Sequence, residues 1–206
     1  MSLIDQVAPR LRDCWTRFAL RRVHYTDRTD RLDRLYLIED PWQLQSPKEQ
    51  ARFAWTNGMI AEHFGRPETI LEIGCGEGHQ SQHLARTCSQ LYGIDVSRRA
   101  VRRAQRRCPE ARFVAADPMS FHFDNMPLPA DLVVACEMLY YVKDVPRFVE
   151  RISTLGRACL VTYYRAQAAS LDPYFADRPG CRRAQFRYDN TEWHAMWWRN
   201  REEQIC

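Results

Sequence analysis

The chain has 206 residues, 45% of them apolar, with 30 basic and 26 acidic side chains and a formal net charge of +4. That length suits one domain with a sizeable core, and so balanced a charge singles out no nucleic-acid or membrane partner. Apolar runs such as Leu132 to Cys136 are far too short to cross a bilayer, so no membrane span is expected.

Met1 to Leu11 lacks the apolar stretch and small-residue cleavage site of a signal peptide. Residues 3–37 place Val7, Leu11, Cys14, Trp15 and Phe18, then Leu32, Leu35 and Tyr36, at helical spacing, interrupted by the polar stretch His24 to Arg31. Arg21, Arg22, Tyr25 and Arg28 suit either a substrate carboxylate or phosphate or a plain solvated face. Pro41 marks a turn. Ser46-Pro47 reads as N-cap and first residue of a helix that points Phe53, Ile60 and Phe64 inward and stops at Gly65. Ile70 to Ile73 is a buried strand, Gly74 to Gly78 a glycine loop, and His79 to Thr87 a helix. Leu91 to Asp95 is a second strand. Arg98 to Arg107 is a helix with Val101 and Ala104 on its core face, and Ala111 to Ala116 is a third strand. After the irregular Ser120 to Pro129 come a strand at Asp131 to Met138, a helix at Val145 to Leu155 and a strand at Ala158 to Tyr164. Phe186 to Tyr188 and His194 to Arg199 form an antiparallel hairpin around Asn190. Such alternation implies a parallel sheet with helices on both faces.

The most informative stretch is Glu72-Ile73-Gly74-Cys75-Gly76-Glu77-Gly78. A buried strand ends in a loop whose backbone must approach something closely, at a helix start where free N–H groups favour an anionic group. A dinucleotide fingerprint needs a third glycine at position 79, which is His79, so NAD is disfavoured. About twenty residues on, Asp95 ends the second strand, where a carboxylate can accept both hydroxyls of a ribose. Asp117 follows the third strand. In an open parallel sheet these carboxyl ends share the ligand-binding edge.

On Glu72 to Gly78, Asp95-Val96, Asp117-Pro118-Met119 and Asp131 to Tyr141, the chain resembles the class I S-adenosylmethionine-dependent methyltransferases over roughly residues 40–200. The resemblance implies a Rossmann-like three-layer sandwich, with a mostly parallel seven-stranded sheet and the C-terminal hairpin. It also implies that the loop at Gly74, Cys75 and Gly76 passes under the methionine part of S-adenosylmethionine, and that Glu72 points at its amino group. Asp95 would then hold the ribose, Val96 pack on adenine, and Asp117, Pro118 and Met119 border the adenine edge. Asp40-Pro41-Trp42 and Glu137-Met138-Leu139-Tyr140-Tyr141 look most like the nodulation-protein-S-type N-methyltransferases, which act on amino sugars. The usual Pro-Gly-Gly turn before the fifth strand is reduced to Leu155-Gly156. Residues 1–41 are expected to form a helical cap and 42–206 the core of a single domain, 1–206.

Glu137 is the candidate catalytic carboxylate, ending the fourth strand inside an apolar run; it serves as proton acceptor, caps the next turn, or bonds the cofactor's methionine end. Tyr140 or Tyr141 lines the pocket, Tyr141 being the second catalytic candidate, and Trp42 lies near the cofactor or anchors a core. His79 faces cofactor or solvent, while His24 and His194 have no companion spacing. Trp193, Trp197 and Trp198 suit a sugar or a sheet edge. Eight scattered cysteines without a CxxC pair argue against structural zinc; no metal is expected, and a reducing cytoplasm is. The arginines of 98–107, with no interleaved aromatics, read as a solvated face rather than an RNA patch. The expected partner is a small-molecule acceptor, with nucleic acid disfavoured and the protein a monomer or homodimer. The alternatives are an RNA methyltransferase and a non-catalytic cofactor-binding module.

Overall fold

The structure, a computed structural model, describes residues 14–16, 18, 25–26, 29–124 and 126–200. Val7, Leu11, Arg21, Arg22, His24 and Arg28, and with them most of the expected cap, lie outside the described residues. Strands β1 (Thr69–Ile73), β2 (Gln90–Asp95), β3 (Arg112–Ala115), β4 (Leu132–Cys136), β5 (Ala158–Tyr164), β6 (Arg182–Tyr188) and β7 (Thr191–Arg199) form one sheet in the order β3-β2-β1-β4-β5-β7-β6. The first five run parallel; β7 inserts antiparallel between β5 and β6. This is the expected mostly parallel seven-stranded sheet with its antiparallel end.

Side chains alternate across a strand, so the register sorts the apolar residues into two layers. Leu71 stands beside Tyr92 and Val133, Val133 beside Cys159, and Cys159 beside Trp198, all on one face. Ile70, Leu132, Leu160 and Trp197 take the other face. Helices α1 (Thr29–Leu35), α2 (Pro47–Phe64), α3 (Ser81–Leu84), α4 (Arg98–Arg107) and α5 (Val145–Leu155) precede two short ones in the β5–β6 connection, α6 (Ala168–Leu171) and α7 (Pro173–Ala176). Phe148, Val149 and Ile152 of α5 cover the first layer; Met59 and Ile60 of α2 and Leu84 of α3 cover the second. Each fully buried aliphatic or aromatic side chain contributes about 1.5–3 kcal/mol against exposure.

The strong local signals hold in detail. Helix α2 starts at Pro47 after an extended Ser46 and stops at Gly65 with φ +71°, although the Ser46 hydroxyl makes no capping bond. Ser97 caps α4 by accepting the Ala100 N–H, and Asp144 caps α5 by accepting that of Arg147. Two expectations need correction, and one open choice is decided. The helix expected over 79–87 is only the single turn α3, because Gln80 turns inward to Arg52 and residues 86 and 87 tighten into i→i+3 bonds. The hairpin is longer than expected, Arg182 pairing with Trp197 and Tyr188 with Thr191. The three tryptophans are core: Trp193, Trp197 and Trp198 are at most 9% exposed, with Trp197 stacked on His63 and Trp198 under Arg178, so none is open to a sugar.

Candidate active site

Neighbours β1 and β4 send their connections to opposite sides, and the crevice at their carboxyl ends is where an open parallel sheet binds its ligand. A cavity of about 280 Å³ opens there. The glycine loop after β1 forms its floor. Gly74 and Cys75 donate their N–H groups to the Ile94 carbonyl at 2.8 and 3.2 Å, which lashes the loop to β2. Gly76 has φ +52°, and a Cβ there would stand 3.0 Å from the Tyr36 hydroxyl, so only glycine keeps this close approach unstrained. Cys75 is buried and its thiol is pushed well up by burial, as befits a small spacer rather than a nucleophile.

Asp95 ends β2 at the cavity wall. Its Oδ1 accepts the Ser97 N–H at 2.8 Å and its Oδ2 the Gly76 N–H at 2.9 Å, leaving a lone pair on each oxygen. Burial raises its pKa to about 6, against those two hydrogen bonds. Val96, the exposed Asp117, Pro118 and Met119 continue the wall, and Asp117 Oδ1 accepts the Met119 N–H at 2.9 Å. Glu72 reaches the cavity from mid-strand β1; its Oε2 accepts the Ser81 hydroxyl proton at 2.5 Å, and burial lifts its pKa to about 8.

Glu137 follows β4 with φ +56°, a left-handed backbone rare outside glycine and frequent where function imposes strain. That conformation turns its carboxylate into the cavity. The Tyr140 hydroxyl donates to Oε2 at 2.8 Å and the Thr162 hydroxyl to Oε1 at 2.9 Å. Burial raises the carboxyl against the pull of Arg52. Tyr141 and Trp42 meet at 5.8 Å between ring centroids and close the same side, and burial raises the Tyr141 phenol. The cavity therefore gathers Trp42, Glu72, Gly74, Cys75, Gly76, Asp95, Val96, Asp117, Pro118, Met119, Glu137 and Tyr141, every site residue expected from sequence.

Among the further lining residues, Arg52 was not legible. Arg52 of α2 is 2% exposed, with its Nε 2.8 Å from Glu49 Oε2 and one terminal nitrogen 3.0 Å from Gln80 Oε1. Desolvation disfavours its charge, but Glu137 and Glu49 more than restore it. Its one sequence signal is the Glu49/Arg52 spacing, which is indistinguishable from a surface pair. Thr29, Leu32 and Tyr36 bring α1 over the cavity, and Asp33 fastens that helix by accepting the Ser97 hydroxyl proton at 2.7 Å and pairing with Arg99. Tyr25 donates its N–H to the Tyr140 carbonyl at 2.9 Å and its hydroxyl to Gln167 at 3.2 Å. One histidine differs from expectation: His79 faces neither cavity nor solvent and is buried beside Glu77 and Asp40. His194 is buried outside the cavity lining, with Nδ1 3.2 Å from Asp172.

Residues 71–158 match the methyltransferase domain family. Nodulation protein S of Sinorhizobium fredii is 34% identical over 118 residues, 55% of this chain and 53% of that protein. Trans-aconitate 2-methyltransferase of Yersinia pseudotuberculosis is 35% identical over 82 residues, 39% of this chain and 31% of that one. The crystal structure of the N-methyltransferase NodS from Bradyrhizobium japonicum WM9 with S-adenosyl-L-homocysteine superposes with a TM-score of 0.68 at 23% identity, covering 86% of this chain and 100% of that chain. The chain spans about half the length, or less, of these sequence relatives, and it shares the Rossmann-like methyltransferase fold over most of its own.

Proposed function

We propose that this chain, whose residues 71–158 form a methyltransferase domain of the class I fold, transfers a methyl group from S-adenosylmethionine to a nitrogen or oxygen of a small molecule. One observation carries the reading: a single cavity joins the glycine loop and the Asp95 carboxylate at one end to the Glu137 carboxylate and two aromatic rings at the other.

The residues fit the cofactor. Asp95 keeps one lone pair on each oxygen for the two ribose hydroxyls. Val96, Pro118 and Met119 offer apolar walls to adenine, and Asp117 offers an acceptor to its amino group. Arg52 gives the opposite end a lasting positive charge, which suits the carboxylate of the methionine part. The cofactor supplies a methyl group already activated on a sulfonium, so the transfer is an in-line displacement that asks the protein chiefly for alignment. Alignment is worth on the order of 7–11 kcal/mol of barrier. Tyr141 and Trp42 would wall the acceptor and shield the cationic sulfur. Glu137 would accept the acceptor's proton as the new carbon–nitrogen or carbon–oxygen bond forms, and its raised pKa makes it a better base than an exposed carboxylate. An amino sugar or glycoside fits this combination of rings and one carboxylate.

Calorimetric titration with S-adenosylmethionine, S-adenosylhomocysteine and NAD tests the assignment. Micromolar binding of the first two, none of the third, and loss of both in Asp95→Ala is expected; no binding of either would end the reading. In Glu137→Gln, binding of S-adenosylhomocysteine should persist while turnover with labelled donor falls by about 10²–10⁴. Unchanged turnover would remove Glu137 from the proton path.

A further inference from the structure

We propose that Asp40, Glu77 and His79 form a divalent-cation site, suited to Zn²⁺, that fastens the loop carrying Trp42 onto the glycine loop. The inference does not depend on the methyl-transfer reading. His79 Nε2 lies 3.5 Å from Glu77 Oε2 and 3.7 Å from Asp40 Oδ1, and the three donor atoms all lie within 4.8 Å of one another. The His79 side chain is 3% exposed and Glu77 1%, and Nε2 has no hydrogen-bond partner. A simple ion pair would draw the imidazole N–H onto one oxygen at about 2.7–2.9 Å. Here the nitrogen stands off almost equally from two. Ligands about 2.1 Å from a tetrahedral ion are about 3.4 Å apart, close to both separations. One imidazole and two carboxylates are a donor set for a borderline cation, with a fourth position left for water.

The surroundings hold the three groups as outer partners hold metal ligands. The Asp40 N–H donates to Glu77 Oε2 at 2.8 Å, and the Leu44 N–H donates to Asp40 Oδ1 at 2.7 Å. Arg103 pairs with Glu77 Oε1 and donates to the Ile38 carbonyl at 3.0 Å. It thus offsets one of the two carboxylates and leaves the other to meet a cation. Asp40 has φ +45°, a strained value for a residue with a side chain, and it aims the carboxylate inward. The absence of CxxC pairs spoke only to thiolate zinc; carboxylates 37 residues apart leave no such spacing in the sequence.

The test uses the full chain without a histidine tag, stripped with chelator and titrated with Zn²⁺ at pH 7, with Co²⁺ as a spectroscopic probe. The expected result is one equivalent bound, a raised melting temperature, and affinity lower by more than about a hundredfold in both His79→Gln and Asp40→Asn. Co²⁺ should show the visible bands of a four- or five-coordinate site in the unaltered chain. Failure to bind, or binding that survives in both variants on residues such as His63 or His122, would overturn the proposal. So would a stripped protein whose melting temperature ignores added Zn²⁺. Should His79→Gln not fold, Asp40→Asn and the Co²⁺ spectrum decide.

Discussion

Glu72 and Asp95 sit on adjacent strands, and burial moves both carboxyls towards neutrality, to about 8 and about 6. The consequence for Glu72 has a definite sign. A native pKa above the unfolded value means that the folded protein binds the extra proton, so this group's contribution is fully present below about 4.5. It is lost as pH rises towards about 8. Glu72→Gln keeps the shape and cannot ionise. Its melting temperature should match the parent at about pH 4 and exceed it at about pH 8.5, measured by calorimetry; parallel pH curves would mean that Glu72 is ionised in the fold. That this acid belongs to the site was legible, because a carboxylate inside Ile70 to Ile73 must have a reason to be buried. Arg52 was not, because an arginine three residues from a glutamate on a helix looks like surface, and only packing reveals the buried one. The Asp40, Glu77 and His79 cluster was equally hidden, assembled by a loop that returns from far up the chain.

At the scale of elements, the glycine loop is a packing joint as well as a ligand cradle. Gly78 has φ +79°, and a Cβ there would lie 2.9 Å from Ala104 Cα on α4, where Arg107 Nε also donates to the Glu77 carbonyl at 2.9 Å. Gly78→Ala must distort the loop or push α4 away, and should cost about 2 kcal/mol or more in urea unfolding. Gly58 is the opposite case. It lies inside α2 with nothing within 4 Å of an added Cβ, so Gly58→Ala should stabilise by roughly 0.5–1 kcal/mol. Equal effects at the two positions would contradict the packing of α4 on the loop. Elements set by periodicity and flanking caps, such as α2, α4, α5 and β5, were legible almost to the residue. Helices α6 and α7 were not, since four residues carry too little pattern and their burial comes from Leu171 and Phe175 meeting the sheet.

Over the whole molecule, the net charge of +4 leaves open whether the arginines form a nucleic-acid face. Their placement argues against it. On α4, Arg99 pairs with Asp33, Arg103 with Glu77, and Arg107 bonds the loop carbonyl, so one side of that helix is engaged with the protein's own groups. Elsewhere Arg178 pairs with Glu150, Arg183 with Asp172, and Arg165 and Arg187 with Glu192. No aromatic ring stands among the α4 arginines to stack a base. The cavity, moreover, is walled by Tyr141 and Trp42 and roofed by α1, which supports the proposed small acceptor. No described helix is long and apolar enough to cross a membrane. Fluorescence anisotropy with labelled transfer RNA should therefore give no affinity tighter than the non-specific range of about 10⁻⁴–10⁻⁶ M near physiological salt. The logarithm of affinity should fall with that of salt at a slope of about 1–2. A submicromolar complex with a slope near 6 would mean that several phosphates are neutralised at once, and it would move the proposed methyl acceptor from a small molecule to RNA.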